Sequence, residues 1–174
     1  AAPMSAAARK PDAIDPLDLL ALDAELGDEE RLIRDNVRAF VREQLLPEVP
    51  GWYERGEIDP AVAREFGKLN VLGMHLEGYG CAGASAVAYG LTCLELEAGD
   101  SGLRSLVSVQ GSLAMFAIWR FGSEEQKQEW LPRMAAGEAI GCFGLTEPDA
   151  GSDPGAMHTK ARRDGSDWIL HGTK

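Results

Sequence analysis

The chain has 174 residues, 45% of them hydrophobic and 26% charged, a composition that supports a packed core and excludes a disordered tail. Its 17 Lys and Arg are outnumbered by 28 Asp and Glu, giving a formal net charge of -11. That balance argues against nucleic acid or an anionic membrane surface as a partner, because bulk attraction to phosphate is missing, and no apolar run approaches the roughly 18–20 residues of a membrane span.

Residues 1–12, AAPMSAAARKPD, are Ala-rich and lack the long apolar stretch of a secretory signal. Residues 1–14 are therefore expected to be a disordered N-terminus outside the fold. From Asp28 the pattern turns helical: Leu32, Ile33, Val37, Phe40, Val41 and Leu45 recur at spacings of about three and four. Pro47 and Pro50 are expected to close that helix. A short helix follows from about Pro60 to Leu72, with Gly73 as its stop. GYGCAGAS (78–85) reads as a Gly-rich connector.

A helix is expected from about Ser85 to Ala98, and the next from Leu103 to Phe121. The second is apolar on most sides, which predicts burial all round and puts Phe116, Trp119 and Phe121 in the core. Ser123 to Gln126 has the form of a capping box for a further helix ending near Ala136. After Gly137 the period changes. Ile140 to Thr146 reads as a strand, EPDAGSDPGA (147–156) as a loop, and His158–Arg163 and Trp168–His171 as two strands around an Asp-Gly-Ser-Asp turn. The fold class is thus α+β: a helical domain over 15–138, then the start of a β domain over 139–174. Two or three short strands do not make an independent sheet, so the β part reads as incomplete.

Two segments could carry chemistry. In FGLTEPDAGSDPG (143–155) a strand delivers Thr146 and the chain then turns through Gly151, Ser152 and Asp153. Such a loop presents N–H groups and hydroxyls suited to a phosphate or a flavin's polar edge, although an ordinary strand-to-strand loop uses the same turn residues. It is not a GxGxxG turn. In DSGLRSLVS (100–108), Arg104 lies in the first turn of a helix, where a cation opposes the helix dipole. That placement makes sense if Arg104, with Ser108 one turn on, binds a carboxylate, and equally if Arg104 is held in an ion pair with Glu97 or Asp100. The run ELGDEER (25–31) reads as a solvated helix start. Cys81, Cys93 and Cys142, odd in number and without metal or redox spacing, read as small buried apolar residues of a reducing compartment, and His75, His158 and His171 show no metal-ligand spacing.

These segments resemble the acyl-CoA dehydrogenase family. The family-level marks are GSEEQKQEWLPRMAAGE (122–138), LTEPDAGSD (145–153) and GTK (172–174). GYGCAG (78–83), DSGLRSLVSVQ (100–110) and GCFGLTEP (141–148) resemble its glutaryl-CoA members. The resemblance covers about residues 15–174. It implies a helical N-terminal domain, a middle β domain and a C-terminal helical bundle, assembled as a homo-oligomer. It implies FAD, lined by Phe143, Gly144, Leu145, Thr146, Gly151 and Ser152, with Ser152 also near the CoA thioester. It implies that Arg104, Ser105 and Ser108 hold the distal carboxylate of the substrate, with Glu97 beside the arginine.

The implied reaction removes the α-proton of an acyl-CoA and passes hydride to the flavin; glutaryl-CoA then loses CO₂ to give crotonyl-CoA, a step of lysine and tryptophan degradation. An electron-transfer flavoprotein is the expected acceptor. The implied location is the cytoplasm in a bacterium or the mitochondrial matrix in a eukaryote. The implied base lies outside this sequence, so no catalytic residue is assigned here and the chain by itself is expected to be inactive. Leu103 departs from the tyrosine expected before the arginine. Two other readings stay open: a family member with another acyl specificity or without decarboxylation, and a non-catalytic binding protein.

Overall fold

The computed structural model describes residues 19–174. The segment expected to be disordered, 1–14, lies outside the described residues. A 3₁₀ turn, Leu22–Glu25, precedes helix α1, Asp28–Phe40. Asp28, Glu29 and Glu30 fill the first turn of α1, where the dipole favours acids, and Glu30 Oε2 accepts from the Gly27 N–H at 2.9 Å. The helix continues through a π segment, Val41–Leu45, in which the Leu46 N–H reaches back to the Val41 carbonyl.

Pro50 does not stop a helix as expected. It lies in the first turn of a new one, α2, Val49–Arg55, where its missing N–H costs nothing. Helix α3, Val62–Lys68, is shorter than the sequence suggests. The GYGCAG segment is more than a connector: Glu77–Gly78 (β1) and Cys81–Ala82 (β2) form a small antiparallel hairpin.

Helix α4, Ala86–Gly99, is capped by Ser85, whose hydroxyl accepts from the Ala88 N–H at 3.0 Å. Asp100 then caps α5, Ser101–Ser108. The same rod runs on through a second π segment, Val109–Met115, into α6, Phe116–Phe121. Ser123 and Gln126 form the expected capping box at the start of α7, Glu124–Ala135.

Two apolar clusters hold the helices. The first joins α1, α3, α4 and α5 through Phe40, Phe66, Leu96, Leu103 and Val107. The second joins the π segment to α7 through Ala114, Met115, Leu131 and Met134. The long rod is not buried all round. Phe116 is 40% exposed and Phe121 81%, so these two aromatics are not core residues; Phe116 instead stacks on Trp119 across one helical turn. The rod packs through Leu103, Val107, Gln110, Ala114 and Met115, which lie on one face at helical spacing.

Close backbone contact sets the crossing of α3 with the end of α7. A Cβ on Gly67 would lie 2.3 Å from the Ala136 carbonyl oxygen, and one on Gly137 would lie 2.0 Å from that of Ala63. Only glycine permits this approach on both sides.

Ile140–Thr146 is extended but has no strand partner among the described residues, so it is not the strand expected. Strands β3, Lys160–Asp164, and β4, Asp167–His171, pair antiparallel with Lys160 opposite His171 and Asp164 opposite Asp167. Both are exposed along their whole length. The architecture is a helical domain followed by a few short strands.

Candidate functional site

The corner between α4 and α5 builds a cationic site. Asp100 is the single residue between the two helices, and its Oδ1 accepts from the Leu103 N–H at 3.0 Å. This cap turns the chain so that Arg104, in the first turn of α5, faces Glu97 near the end of α4. Arg104 Nε donates to Glu97 Oε2 at 2.6 Å, and Nη1 donates to Ser108 Oγ at 3.2 Å. The Ser108 hydroxyl donates to the Ser105 carbonyl at 3.1 Å, so Ser105 takes part through its backbone. Nη2 of Arg104 has no hydrogen-bond partner among the described residues.

The ion pair predicted as one reading of Arg104 is therefore present. Its side chains remain 35% and 48% exposed, accessible to an incoming anion. The hydrogen bond that Arg104 donates to Glu97 holds its guanidinium more firmly protonated, against the opposing effect of desolvation. A polar layer lies beside it. Tyr89 shares a 2.8 Å hydrogen bond with Ser112 and packs its ring 5.0 Å from that of His75. Burial lowers the His75 pKa and raises those of Tyr89 and Cys93.

The second element is the extended segment after α7. Cys142, Phe143, Gly144, Leu145 and Thr146 are all exposed. Cys142 is therefore not the buried apolar residue expected, while Cys81 and Cys93 are half-buried. None of the five backbone N–H groups from Cys142 to Thr146 is taken up by a hydrogen bond among the described residues. A main chain with unclaimed donors, an exposed ring and a hydroxyl suits the polar edge and flat face of a heteroaromatic cofactor. A cleft of about 300 Å³ runs between Phe143 and Cys142 on one side and Ala117, Ile118 and Trp130 on the other.

Glu147 closes this segment. It is 6% exposed and accepts from the backbone N–H groups of His158 and Thr159. Lys174 Nζ donates to the Leu145 carbonyl at 2.8 Å and lies 3.1 Å from Glu147 Oε1. The Thr159 hydroxyl, then the His158 N–H and Lys174, pull the Glu147 carboxyl down to about 2, although that hydroxyl lies beside the carboxylate without full hydrogen-bond geometry. Gly151 and Ser152 sit at an exposed turn ahead of a 3₁₀ turn, Pro154–Ala156, where Asp153 Oδ1 accepts from the Gly155 N–H.

The structure thus brings Arg104, Glu97, Ser105 and Ser108 together, and sets Phe143–Thr146 in one open run. Among the described residues, Ser152 has no hydrogen bond to either group. Sequence reasoning missed Gln110, Glu147 and Lys174 as individual residues. All three lie inside motifs already noted. The signal for Gln110 was an amide on the buried face, three residues after Val107.

Residues 27–138 match the family "Acyl-CoA dehydrogenase, N-terminal domain". The chain belongs to the acyl-CoA dehydrogenase family. It is 36% identical over 152 residues to the human short-chain specific acyl-CoA dehydrogenase, mitochondrial, covering 86% of this chain and 37% of that protein. It is 64% identical to a crystal structure of a glutaryl-CoA dehydrogenase from Mycobacterium smegmatis in complex with FADH2, with a TM-score of 0.87, covering 92% of this chain and 42% of that one. A chain from a structure of the electron transferring flavoprotein of Acidaminococcus fermentans is 34% identical with a TM-score of 0.78, over 84% of this chain and 39% of that one. The chain thus spans about two fifths of the length of these relatives. Among the described residues, no group of three or more His, Cys, Asp and Glu could hold a metal ion, and no helix is long and apolar enough to cross a membrane.

Proposed function

We propose that the complete protein is an FAD-dependent dehydrogenase of glutaryl-CoA that decarboxylates its product to crotonyl-CoA. The observation that carries the acyl specificity is the Arg104–Ser108 pair: an accessible guanidinium hydrogen-bonded to a part-buried hydroxyl on the same helix face, with Nη2 unengaged. A guanidinium fork is suited to a carboxylate. A monoacid such as butyryl-CoA leaves Nη2 of that cation unengaged. The identity of 64% to the Mycobacterium smegmatis enzyme supports the same reading.

Phe143, Gly144, Leu145 and Thr146 would line the flavin with their free backbone donors and the Thr146 hydroxyl, and Gly151 and Ser152 would close its edge. Ser152 would also lie near the CoA thioester. FAD, when bound, supplies the two-electron acceptor. Arg104 fixes the distal end of the substrate, Ser108 joins it by turning its hydroxyl from the Ser105 carbonyl to the carboxylate, and Glu97 orients Arg104. The base that removes the α-proton is supplied by a part of the protein other than these residues.

In this reading residues 15–138 form the helical domain and 139–174 begin a β domain; the family match ending at residue 138 supports the division. Homo-oligomerisation and an electron-transfer flavoprotein as acceptor belong to the same proposal.

The test is anaerobic reduction of the flavin in the complete protein. Glutaryl-CoA is expected to bleach it at least about tenfold faster than butyryl-CoA, and Arg104→Ala to remove that preference. Equal rates in the unaltered protein would sink the substrate assignment.

A further inference from the structure

We propose that Gln110 is a positioning residue for the flavin-facing segment, registering it against the helix that carries Arg104 and Ser108. This rests on the assignment of that segment to FAD. Gln110 is fully buried, and its amide is fully used. Nε2 donates to the Met134 carbonyl at 3.1 Å and to the Ala139 carbonyl at 2.8 Å, while Oε1 accepts from the Gly141 N–H at 2.8 Å. One side chain thereby binds the end of α7 and two main-chain groups flanking Ile140, the Ala139 carbonyl and the Gly141 N–H. It acts toward Ala139 and Gly141 as a neighbouring strand would, where no strand is present.

The packing agrees. A Cβ on Gly141 would lie 2.5 Å from Ala114 Cβ and 2.7 Å from Met134 Cε, so the main chain is pressed directly onto the π segment. Beyond Gly141 the segment has, among the described residues, no main-chain hydrogen bond until Lys174 reaches the Leu145 carbonyl. Its first half is therefore located by Gln110 together with the packing of Gly141 on Ala114 and Met134.

The same rod carries Arg104 and Ser108 six and two residues before Gln110. A substrate held by its distal carboxylate and a flavin held by residues 142–146 must meet at a fixed separation for hydride transfer. Gln110 ties the rod to that segment, so it sets this separation without touching either partner. An apolar residue here would fill the space but leave the Ala139 carbonyl and the Gly141 N–H without a partner.

The experiment compares the complete flavin-loaded protein with its Gln110→Met and Gln110→Glu variants. Met keeps the volume and removes all three bonds; Glu keeps the acceptor for Gly141 and removes both donors. Hydrogen exchange at the Gly141 N–H, the visible circular dichroism of the flavin and the dissociation constant for FAD are measured together. In Gln110→Met, exchange at Gly141 is expected to accelerate about tenfold and FAD to bind about tenfold more weakly, the factor equivalent to one buried hydrogen bond, with altered flavin dichroism. Gln110→Glu keeps the Gly141 bond but sets a carboxyl oxygen against the Met134 and Ala139 carbonyls, and is expected to weaken FAD binding at least as much.

If Gln110→Met does not fold, Gly141→Ala displaces the same segment through Ala114 and Met134 with Gln110 intact, and the same three readouts are expected to shift. Faster exchange with unchanged FAD affinity and dichroism would overturn the proposal, since Gln110 would then be a structural staple. An unaltered protein that binds no FAD would overturn this inference and the functional assignment together; a flavin-loaded protein indifferent to these variants would overturn this inference alone.

Discussion

Glu95 in α4 accepts two hydrogen bonds from Arg38 in α1, from Nε at 2.9 Å and from Nη2 at 2.7 Å. Glu95 is 5% exposed, whereas the Arg38 side chain remains 37% exposed. The fork fixes the rotation of α4 against α1, and two residues later α4 presents Glu97 to Arg104. Removing the arginine would leave a buried carboxylate without its cation. Arg38→Met is therefore expected to destabilise the protein by about 2 kcal/mol, below the usual range for a fully buried pair because water reaches the arginine side. The double variant Arg38→Met/Glu95→Met is expected to recover most of that loss in urea unfolding.

Two glycines share a φ of +71° but differ in what surrounds them. Gly56, at the end of α2, has nothing within 4 Å of a Cβ position, whereas Gly137 would bring its Cβ to 2.0 Å from the Ala63 carbonyl oxygen. Gly56→Ala is expected to cost about 1 kcal/mol, the backbone penalty alone. Gly137→Ala is expected to cost about 3 kcal/mol or more, because α3 and α7 must separate. Equal thermal shifts in the two variants would show that the crossing relaxes freely.

The segment after residue 146 has a distinct acid limit. The Glu147 carboxyl sits at about 2, below the ordinary value of 4.5, because of Thr159, His158 and Lys174. A carboxyl depressed in the folded state contributes stability above its unfolded pKa and loses it as pH falls through the folded value. Protection of the His158 and Thr159 N–H groups from hydrogen exchange is thus expected to persist below pH 4.5 and to be lost as pH approaches about 2. Glu147→Gln, which keeps one acceptor oxygen, is expected to lose protection at one of the two N–H groups at neutral pH.

Much of this was legible in the chain, and the exceptions share a cause. Ser85, Asp100 and Ser123 announced three helix starts, because a cap is a local interaction between residues two to three apart. The β3–β4 turn at Gly165 was equally local. Pro50 misled because the same residue ends one helix or opens the next, and the choice depends on Trp52 finding a core. Ile140–Thr146 has the composition of a strand, but a strand exists only with a partner. The Arg104–Glu97–Ser108 cluster could be anticipated from spacing across one corner. Gln110 showed only as an amide on the buried face; its partners at Met134, Ala139 and Gly141 lie 24 to 31 residues away, so no local spacing points to them.

Glu97 should oppose the anion that Arg104 is proposed to bind. Its Oε2 occupies Arg104 Nε at 2.6 Å, so a substrate carboxylate reaching Nη2 and Ser108 approaches a second negative charge across the same guanidinium. Glu97 also restrains the arginine, and its loss frees that side chain. With the pair 35% and 48% exposed, both effects are modest. Charge repulsion acts on the bound state alone, whereas Ser108 still holds Nη1 when Glu97 is neutral. Glu97→Gln is therefore expected to tighten glutaryl-CoA binding about threefold at low salt. It should leave butyryl-CoA unchanged, and the gain should shrink as ionic strength rises. Titration of the flavin spectrum of the complete protein at two salt concentrations measures this. Weaker glutaryl-CoA binding in Glu97→Gln would mean that orienting Arg104 outweighs the repulsion, and that Glu97 belongs to the clamp.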